Sequence, residues 1–213
     1  MIFYSKRVLF IGAHPDDIEL GAGALVHHIA PSSEVLCVTL SDNQNNPLLK
    51  NVIEELYQSM AVLGVPKDRV IVEKFITRTF PDTRQAILEY LLKLRGDFKP
   101  DVIFVHSQKD LHQDHNVVTE EALRTFRGTT MLGYEILRSN YEFFPHFLVE
   151  VNEEDVNKKI EALAQYSTYN EKYYFDPAIL RATMIHYGAL AERSYAEGFE
   201  ILRIVGEFEP LGK

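Results

Sequence analysis

The sequence has almost no cysteine and no long apolar segment. Only one of its 213 residues is a cysteine, Cys37, so the chain cannot form an internal disulfide. No stretch approaches the roughly 18 consecutive apolar residues that a membrane-spanning helix needs. The N-terminus also lacks the apolar region and cleavage site of a signal peptide. Together these absences predict a cytoplasmic protein without a membrane span.

Positive charge is scarce as well. Lys and Arg number 22 against 31 Asp and Glu, which gives a net charge of −9, so we expect no binding to nucleic acid. Apolar residues make up 46% and charged residues 25%, as in ordinary globular proteins. The length is enough for one large core. We therefore expect a single domain over residues 1–213 that acts on a small molecule, with homo-oligomer formation left undecided.

Apolar strand patterns alternate with helix patterns along the chain. Strands are predicted at 7–11, 34–40, 70–75 and 101–105, with helices at 18–30, 48–63, 83–95 and 117–126. Later strands are predicted at 130–137, 147–151 and 200–205, and later helices at 153–166 and 177–192. This alternation predicts an α/β fold with a doubly wound parallel sheet. Gly21 and Gly23 are poor helix formers, and they indicate either close packing of the first helix or room for a ligand.

Two polar clusters follow the first and fourth predicted strands. One contains His14, Asp16 and Asp17, and the other contains His112 and His115. Parallel strands present their carboxyl ends at one edge of a sheet, where α/β proteins bind ligands. Two imidazoles and one carboxylate suit a divalent metal with open positions for water and substrate. A second carboxylate could remove a proton from that water.

Each cluster alone has an ordinary structural interpretation. A single His-x-x-His pair is usually a surface or capping feature, and two Asp residues at a helix start interact favourably with the helix dipole. The coincidence of both clusters at strand ends favours a metal site. Of the other histidines, we expect four to be structural or solvent-exposed, and a fifth, His186, is a further site candidate. The four are His27, His28, His106 and His146.

The two clusters also resemble the motifs of a known family. Ala13-His14-Pro15-Asp16-Asp17, followed by Glu19 and Gly21, is similar to the opening motif of the LmbE-like, or PIG-L, de-N-acetylases, and His112-Gln113-Asp114-His115 resembles their second motif. The resemblance implies a Rossmann-like, three-layer fold whose mainly parallel sheet is flanked by helices. It also implies one catalytic zinc ion per chain and hydrolysis of N-acetyl groups on amino sugars or their conjugates.

The resemblance assigns roles by position. His14, Asp17 and His115 would bind zinc, and Asp16 would be the general base. His112 would stabilise the tetrahedral intermediate or protonate the leaving amine.

Asp114 would then hold the ring of His112. Some members carry a Tyr where this sequence has Asp110, and many carry an Arg where it has Val52, so their substrate contacts do not transfer. Candidate substrate-binding residues are Asp42, Asp110 and His186.

Two other functions fit parts of the pattern. Two His and one carboxylate also bind iron in non-haem oxygenases, although those sites do not need the adjacent Asp16. A sugar-binding protein with the same fold and a degenerate site is the second alternative, but every ligand and base position is present here. The polar loops at 41–47 and 77–81 do not identify the sugar.

Overall fold

A computed structural model describes residues 6–44, 46–169 and 171–206. Within these residues the chain forms one seven-stranded sheet and six α-helices. The strands are β1 (Arg7–Gly12), β2 (Glu34–Thr39), β3 (Val70–Val72), β4 (Val102–His106), β5 (Thr130–Tyr134), β6 (Phe147–Glu150) and β7 (Ala196–Arg203). The helices are α1 (Asp17–Ile29), α2 (Val52–Val62), α3 (Arg84–Phe98), α4 (Gln113–Thr125), α5 (Glu153–Leu163) and α6 (Pro177–Leu190).

The strand order is β3-β2-β1-β4-β5-β7-β6. The first five strands in this order are parallel, whereas β7 runs antiparallel to both β5 and β6. From β1 the strand order extends first toward β3, and from β4 onward it extends toward the opposite edge of the sheet at β6. The carboxyl ends of β1 and β4 therefore flank the point where the order reverses, which is the usual ligand position in such sheets. The predicted α/β fold is confirmed.

The sheet has a separate apolar core on each face. Successive side chains of β1 alternate between them, because neighbouring residues of a strand point to opposite faces. Val8 and Phe10 pack in the core that contains α1, α2, α5 and α6 residues, and Leu9 and Ile11 pack in the core formed with α3 and α4. This arrangement gives the three layers implied by the family resemblance.

Some element boundaries were predicted wrongly, and hydrogen bonds explain two of the differences. The helix expected from residue 117 begins at Gln113, because His112 Nδ1 accepts a hydrogen bond from the Asp114 N–H at 3.2 Å and caps it. The helix expected to end at 95 passes through Gly96 to Phe98, and it ends where Lys99 adopts a left-handed conformation with φ 50°. The final strand begins at Ala196 instead of 200, because it pairs with β6 from that residue onward.

Close packing accounts for Gly21. A Cβ atom built there would lie 2.1 Å from Cδ2 of Tyr134, so only glycine fits against this ring without movement. Tyr134 Oη in turn donates to the carbonyl of Ile11 at 2.7 Å, at the end of β1. This contact favours the packing interpretation of the first helix over the ligand interpretation. In the described part of the chain, no helix has both the length and the apolar character needed to cross a bilayer.

Candidate metal centre and active site

The turn between β1 and α1 holds its residues in an unusual conformation. Asp16 has φ 93°, in the left-handed region that L-residues rarely adopt. The backbone N–H of His14 donates to Asp17 Oδ2 at 2.7 Å and closes the turn. Strained backbone of this kind is concentrated at functional sites. The turn presents the imidazole of His14 and two adjacent carboxylates at the switch point of the sheet.

Three side-chain atoms from this turn and from α4 converge. His14 Nδ1 lies 3.4 Å from Asp17 Oδ2 and 3.3 Å from His115 Nε2, and His115 Nε2 lies 3.6 Å from Asp17 Oδ2. All three residues are buried. Ligands bound at about 2.0–2.1 Å to a tetrahedral zinc lie about 3.3–3.4 Å apart. The triangle therefore has the size and the donor chemistry of three ligands in a tetrahedral metal site.

Carboxylates lie against the outer nitrogen of each imidazole. His14 Nε2 is 3.0 Å from Asp114 Oδ2, and His115 Nδ1 is 2.9 Å from Asp110 Oδ2. Metal-binding histidines usually give their second nitrogen to a carboxylate, which fixes the tautomer and directs the other lone pair at the metal. The Asp114 carboxylate thus orients the His14 ring for binding a cation, and the Asp110 carboxylate lies at ion-pair distance from the His115 ring.

The position of Asp114 differs from the expectation that it holds His112. Its carboxylate contacts His14 and accepts hydrogen bonds from the backbone N–H groups of Arg78 at 2.5 Å and Phe80 at 3.2 Å. The hydrogen bond between Asp114 and the His112 ring comes from the Asp114 backbone instead. The carboxylate is therefore placed to orient His14.

Asp110 was a candidate for substrate binding, and the structure turns it inward. Only 3% of the residue is exposed. One oxygen accepts from the backbone N–H of His112 at 2.8 Å, and the other accepts from Ser139 Oγ at 2.9 Å and lies beside His115. These contacts favour support of His115 over contact with a substrate.

The remaining substrate candidates lie apart from the triangle. Asp42 is half-buried and its Oδ1 accepts from the Gln44 N–H at 3.1 Å, which is a local turn contact. His186 is exposed on α6, and its described ring contact is with Tyr187. Nothing in the described residues connects either side chain to His14 or His115.

His106 was expected to be structural or exposed, and it lies beside the metal triangle. It ends β4, is fully buried, and stacks on His115 with ring centroids 3.9 Å apart. Its Nε2 accepts from the Ala13 N–H at 3.1 Å and lies 3.3 Å from Asp17 Oδ2. Its position as the last residue of an apolar strand was the signal in the sequence that it reaches the same edge as His14.

The surroundings of the neighbouring carboxylates Asp16 and Asp17 shift their pKa values in opposite directions. Burial raises the pKa of Asp16 well above its usual range, and the negative charges of Asp17 and Glu19 add to the effect. Burial acts on Asp17 in the same direction, but His115 and His106 outweigh it and hold the pKa of Asp17 well below its usual range. Opposite pKa shifts in adjacent groups are typical of divided acid–base roles. Asp17 suits a permanently ionised ligand, and Asp16 suits a group that takes up and releases a proton.

The pKa values of the site histidines also differ from one another in the metal-free protein. Burial opposes protonation of His14, but hydrogen bonds to Asp114 and Asp17 outweigh it and raise the pKa of His14 to about 9. Burial and the neighbouring His106 lower the pKa of His115 to about 4. Burial and His14 lower the pKa of the half-buried His112 as well. Neutral rings are therefore favoured at His112 and His115.

A positive charge also lies near Asp16, and the sequence did not indicate it. The charge of exposed Arg138 acts on Asp16 and lowers its pKa, opposing the effect of burial. Arg138 Nη1 donates to Tyr174 Oη at 3.3 Å. Tyr166 is fully buried nearby in the fold, and its Oη donates to Glu19 Oε1 at 2.6 Å.

A family model for GlcNAc-PI de-N-acetylase, PIG-L, matches residues 9–126, which is more than half of the chain. The chain belongs to the PIG-L family. This confirms the predicted resemblance and the prediction of an amide hydrolase of the de-N-acetylase class. The matched residues contain both polar motifs and all the residues of the metal triangle.

Individual PIG-L relatives and neighbours agree with this membership. The chain is 28% identical to the uncharacterized deacetylase YaiS of Escherichia coli (strain K12), over 76% of this chain and 91% of that protein. The N,N'-diacetylchitobiose deacetylase of Pyrococcus horikoshii has a similar structure, with a TM-score of 0.73 at 21% identity over 93% of this chain and 84% of that one.

The fold is also found in an enzyme of another class. The 4-carboxy-2-hydroxymuconate hydratase GalB of Pseudomonas putida KT2440 has a TM-score of 0.75 at 17% identity, over 96% of this chain and all of that one. Likeness of fold alone therefore does not identify the reaction, which depends on the residues of the site.

Proposed function

We propose that this PIG-L protein is a zinc-dependent hydrolase that removes the N-acetyl group from an N-acetylated amino sugar or its conjugate. The observation that carries the proposal is the triangle of His14 Nδ1, Asp17 Oδ2 and His115 Nε2, with edges of 3.3–3.6 Å. These three residues would hold one zinc ion per chain. When bound, zinc supplies a Lewis acid that polarises an amide carbonyl and makes water a better nucleophile.

Asp16 is the residue suited to move the proton. It is adjacent to the ligand Asp17, yet its own carboxylate is outside the triangle, and its raised pKa makes the ionised carboxylate a stronger base. In the proposed reaction Asp16 accepts a proton as water attacks the amide carbonyl. It then returns the proton to the amine nitrogen as the C–N bond breaks, so that acetate and a free amino sugar are formed.

His112 is suited to stabilise the oxyanion as a neutral donor. Its Nδ1 accepts a hydrogen bond from the Asp114 backbone, so the proton of the neutral ring is on Nε2. Its ring centroid lies 4.8 Å from that of His14 and 4.5 Å from that of His115, beside the triangle. We therefore assign His112 an N–H that donates to the developing oxyanion without prior protonation of the ring.

The amino-sugar part of the proposal comes from family membership and from the relatives. The family is described by its action on GlcNAc-PI, and the relative from Pyrococcus horikoshii is a diacetylchitobiose deacetylase. Polar groups from the loops after β2 and β3 meet beside the turn that carries His14, where the Ser41 N–H donates to the Ala13 carbonyl at 3.0 Å. Ser41 Oγ and Thr77 Oγ1 are 2.8 Å apart, and Thr77 also donates to Asn43.

The decisive experiment measures amine and acetate release from a panel of N-acetylated sugars by protein of known metal content. The panel includes N-acetylglucosamine, N,N'-diacetylchitobiose and a GlcNAc-inositol conjugate, and Asp16→Asn is the control protein. We expect equal amounts of acetate and amine from at least one substrate, with about one zinc per chain. Iron in place of zinc would favour the oxygenase alternative, and a zinc-loaded protein inactive on the whole panel would contradict the proposal.

A further inference from the structure

Helix α1 is interrupted one turn after the metal ligand Asp17. Ala22 has φ −145° and ψ 16°, which is not helical. In a continuous helix the carbonyl of Leu20 would accept from the N–H of Ala24. Here each of these two groups has a charged side chain as a partner.

The partners are Lys159 of α5 and Glu197 of β7. Lys159 Nζ donates to the Leu20 carbonyl at 2.7 Å and to Glu197 Oε1 at 2.7 Å. Glu197 accepts from the N–H of Ala24 at 3.1 Å and from that of Leu25 at 2.7 Å. The ion pair is thus inserted into the helix ladder in place of the Leu20–Ala24 hydrogen bond, which is a known cause of a sharp helix kink.

Both charges are enclosed by the protein. Side-chain exposure is 6% for Lys159 and 3% for Glu197. The stem of Lys159 passes so close to α1 that a Cβ at Gly23 would lie 3.1 Å from its Cγ. A buried ion pair generally adds little net stability compared with an apolar pair of the same size. Its placement across the break therefore calls for a role other than stability.

The break divides α1 into two parts with different neighbours. The first turn begins at the strained residue Asp16, carries Asp17, and packs by Gly21 on Tyr134. The second part starts with the N–H groups of Ala24 and Leu25. Both donate to the Glu197 carboxylate, which acts as an N-terminal cap does. The first turn can therefore take the direction that the metal triangle requires while the second part packs independently.

We infer that the buried Lys159–Glu197 pair positions the first turn of α1, and with it Asp17, for metal binding. The inference rests on the metal site of the proposed function. Lys159 and Glu197 are positioning residues, because they contact the backbone of α1 and not the reacting atoms. The effect should appear in zinc affinity, since a displacement of Asp17 Oδ2 changes the size of the triangle.

The test compares zinc dissociation constants, measured by titrating metal-free protein against a competing chelator. The Lys159→Met/Glu197→Gln double variant removes both charges and leaves no unpaired ion. We expect its zinc affinity to fall by about tenfold or more, the range known for residues that orient metal ligands. Lys158→Met is the matched control, since the neighbouring Lys158 forms an ion pair with Glu161 at 2.8 Å at a more exposed position.

Val26→Ala separates positioning from general stability. Val26 is fully buried in the second part of α1, so this variant should melt at a lower temperature and keep its zinc affinity. Wild-type zinc affinity in the double variant would overturn the inference. If the double variant does not fold, Glu197→Asp takes its place, because it keeps the charge but has a shorter side chain. Unchanged zinc affinity in Glu197→Asp would also contradict the inference.

A second readout keeps this inference distinct from the proposed function. Hydrogen exchange of the metal-free protein should become several-fold faster in residues 14–22 of the double variant than in Val26→Ala. Altered zinc affinity in a protein that deacetylates no substrate would leave the inference standing and refute the proposed reaction. If the wild type binds no zinc, the proposed function fails, and unchanged exchange in 14–22 would then refute the positioning as well.

Discussion

The Asp114→Asn variant tests which histidine Asp114 supports. The resemblance to the family predicted His112, whereas the structure puts the carboxylate 3.0 Å from His14 Nε2. If Asp114 orients the proposed ligand His14, the variant loses zinc affinity. If it orients His112, the variant loses turnover at saturating zinc and binds the metal normally.

The magnitude follows from the contacts of the carboxylate. Loss of a group that orients a metal ligand costs about 10–100-fold in affinity, or about 1.4–2.8 kcal/mol. Asp114 also accepts from the N–H groups of Arg78 and Phe80 through its two oxygens, and Asn has only one. At least one of these two N–H groups loses its acceptor, so the variant should be destabilised by about 1–3 kcal/mol.

The assay pairs chelator competition for zinc with thermal unfolding of the metal-free protein. Asp42→Asn is the matched control, because Asp42 makes a local turn contact on the loop after β2. We expect weaker zinc binding in Asp114→Asn and unchanged zinc binding in Asp42→Asn. Unchanged zinc affinity together with a fall in kcat would refute the assignment of Asp114 to His14.

Three further predictions concern protons. His14 carries a proton below about pH 9 in the metal-free protein, and zinc must displace it. Zinc affinity should therefore rise by about tenfold per pH unit between pH 7 and 9, and a flat profile from chelator competition would contradict this. Asp16→Asn should lower turnover by about 10²–10⁴-fold with zinc content unchanged by elemental analysis, and wild-type turnover would exclude Asp16 as the base. His112→Ala should lower turnover by about 10²–10³-fold, and the alkaline limb of the rate profile should persist, because a neutral donor does not titrate there. Loss of that limb in the variant would instead indicate a required imidazolium.

Local patterns predicted that the two polar clusters meet at one edge of the sheet, and the family resemblance selected His14, Asp17 and His115 as ligands. Neither predicted the surroundings of these residues. His14 and Asp17 are three residues apart, and strand periodicity predicted that the cluster of His112 and His115 lies at the same edge. The supporting contacts depend on strand register and on loops distant in sequence. Arg78 meets Asp114 across 36 residues, and His106 meets Ala13 across 93. No local pattern encodes such pairs.

The break in α1 shows the same limit for a helix. The glycines indicated either close packing or room for a ligand, and Gly21 packs closely on Tyr134. The cause of the break lies in Lys159 and Glu197, which are more than 130 residues further along the chain. Helical propensity cannot report a partner at that separation, because it describes only neighbouring residues.

The place of β7 in the sheet has a consequence for synthesis on the ribosome. β7 lies between β5 and β6, yet it follows both of them in the chain. Until residues 196–203 emerge, the edge of β5 has no strand beside it, and an uncovered edge is prone to pair with other chains. Glu197 belongs to the same strand, so α1 acquires this side-chain partner late in translation. A nascent chain halted before residue 196 would contain both polar motifs and would still expose the unpaired edge of β5, which could pair with other chains.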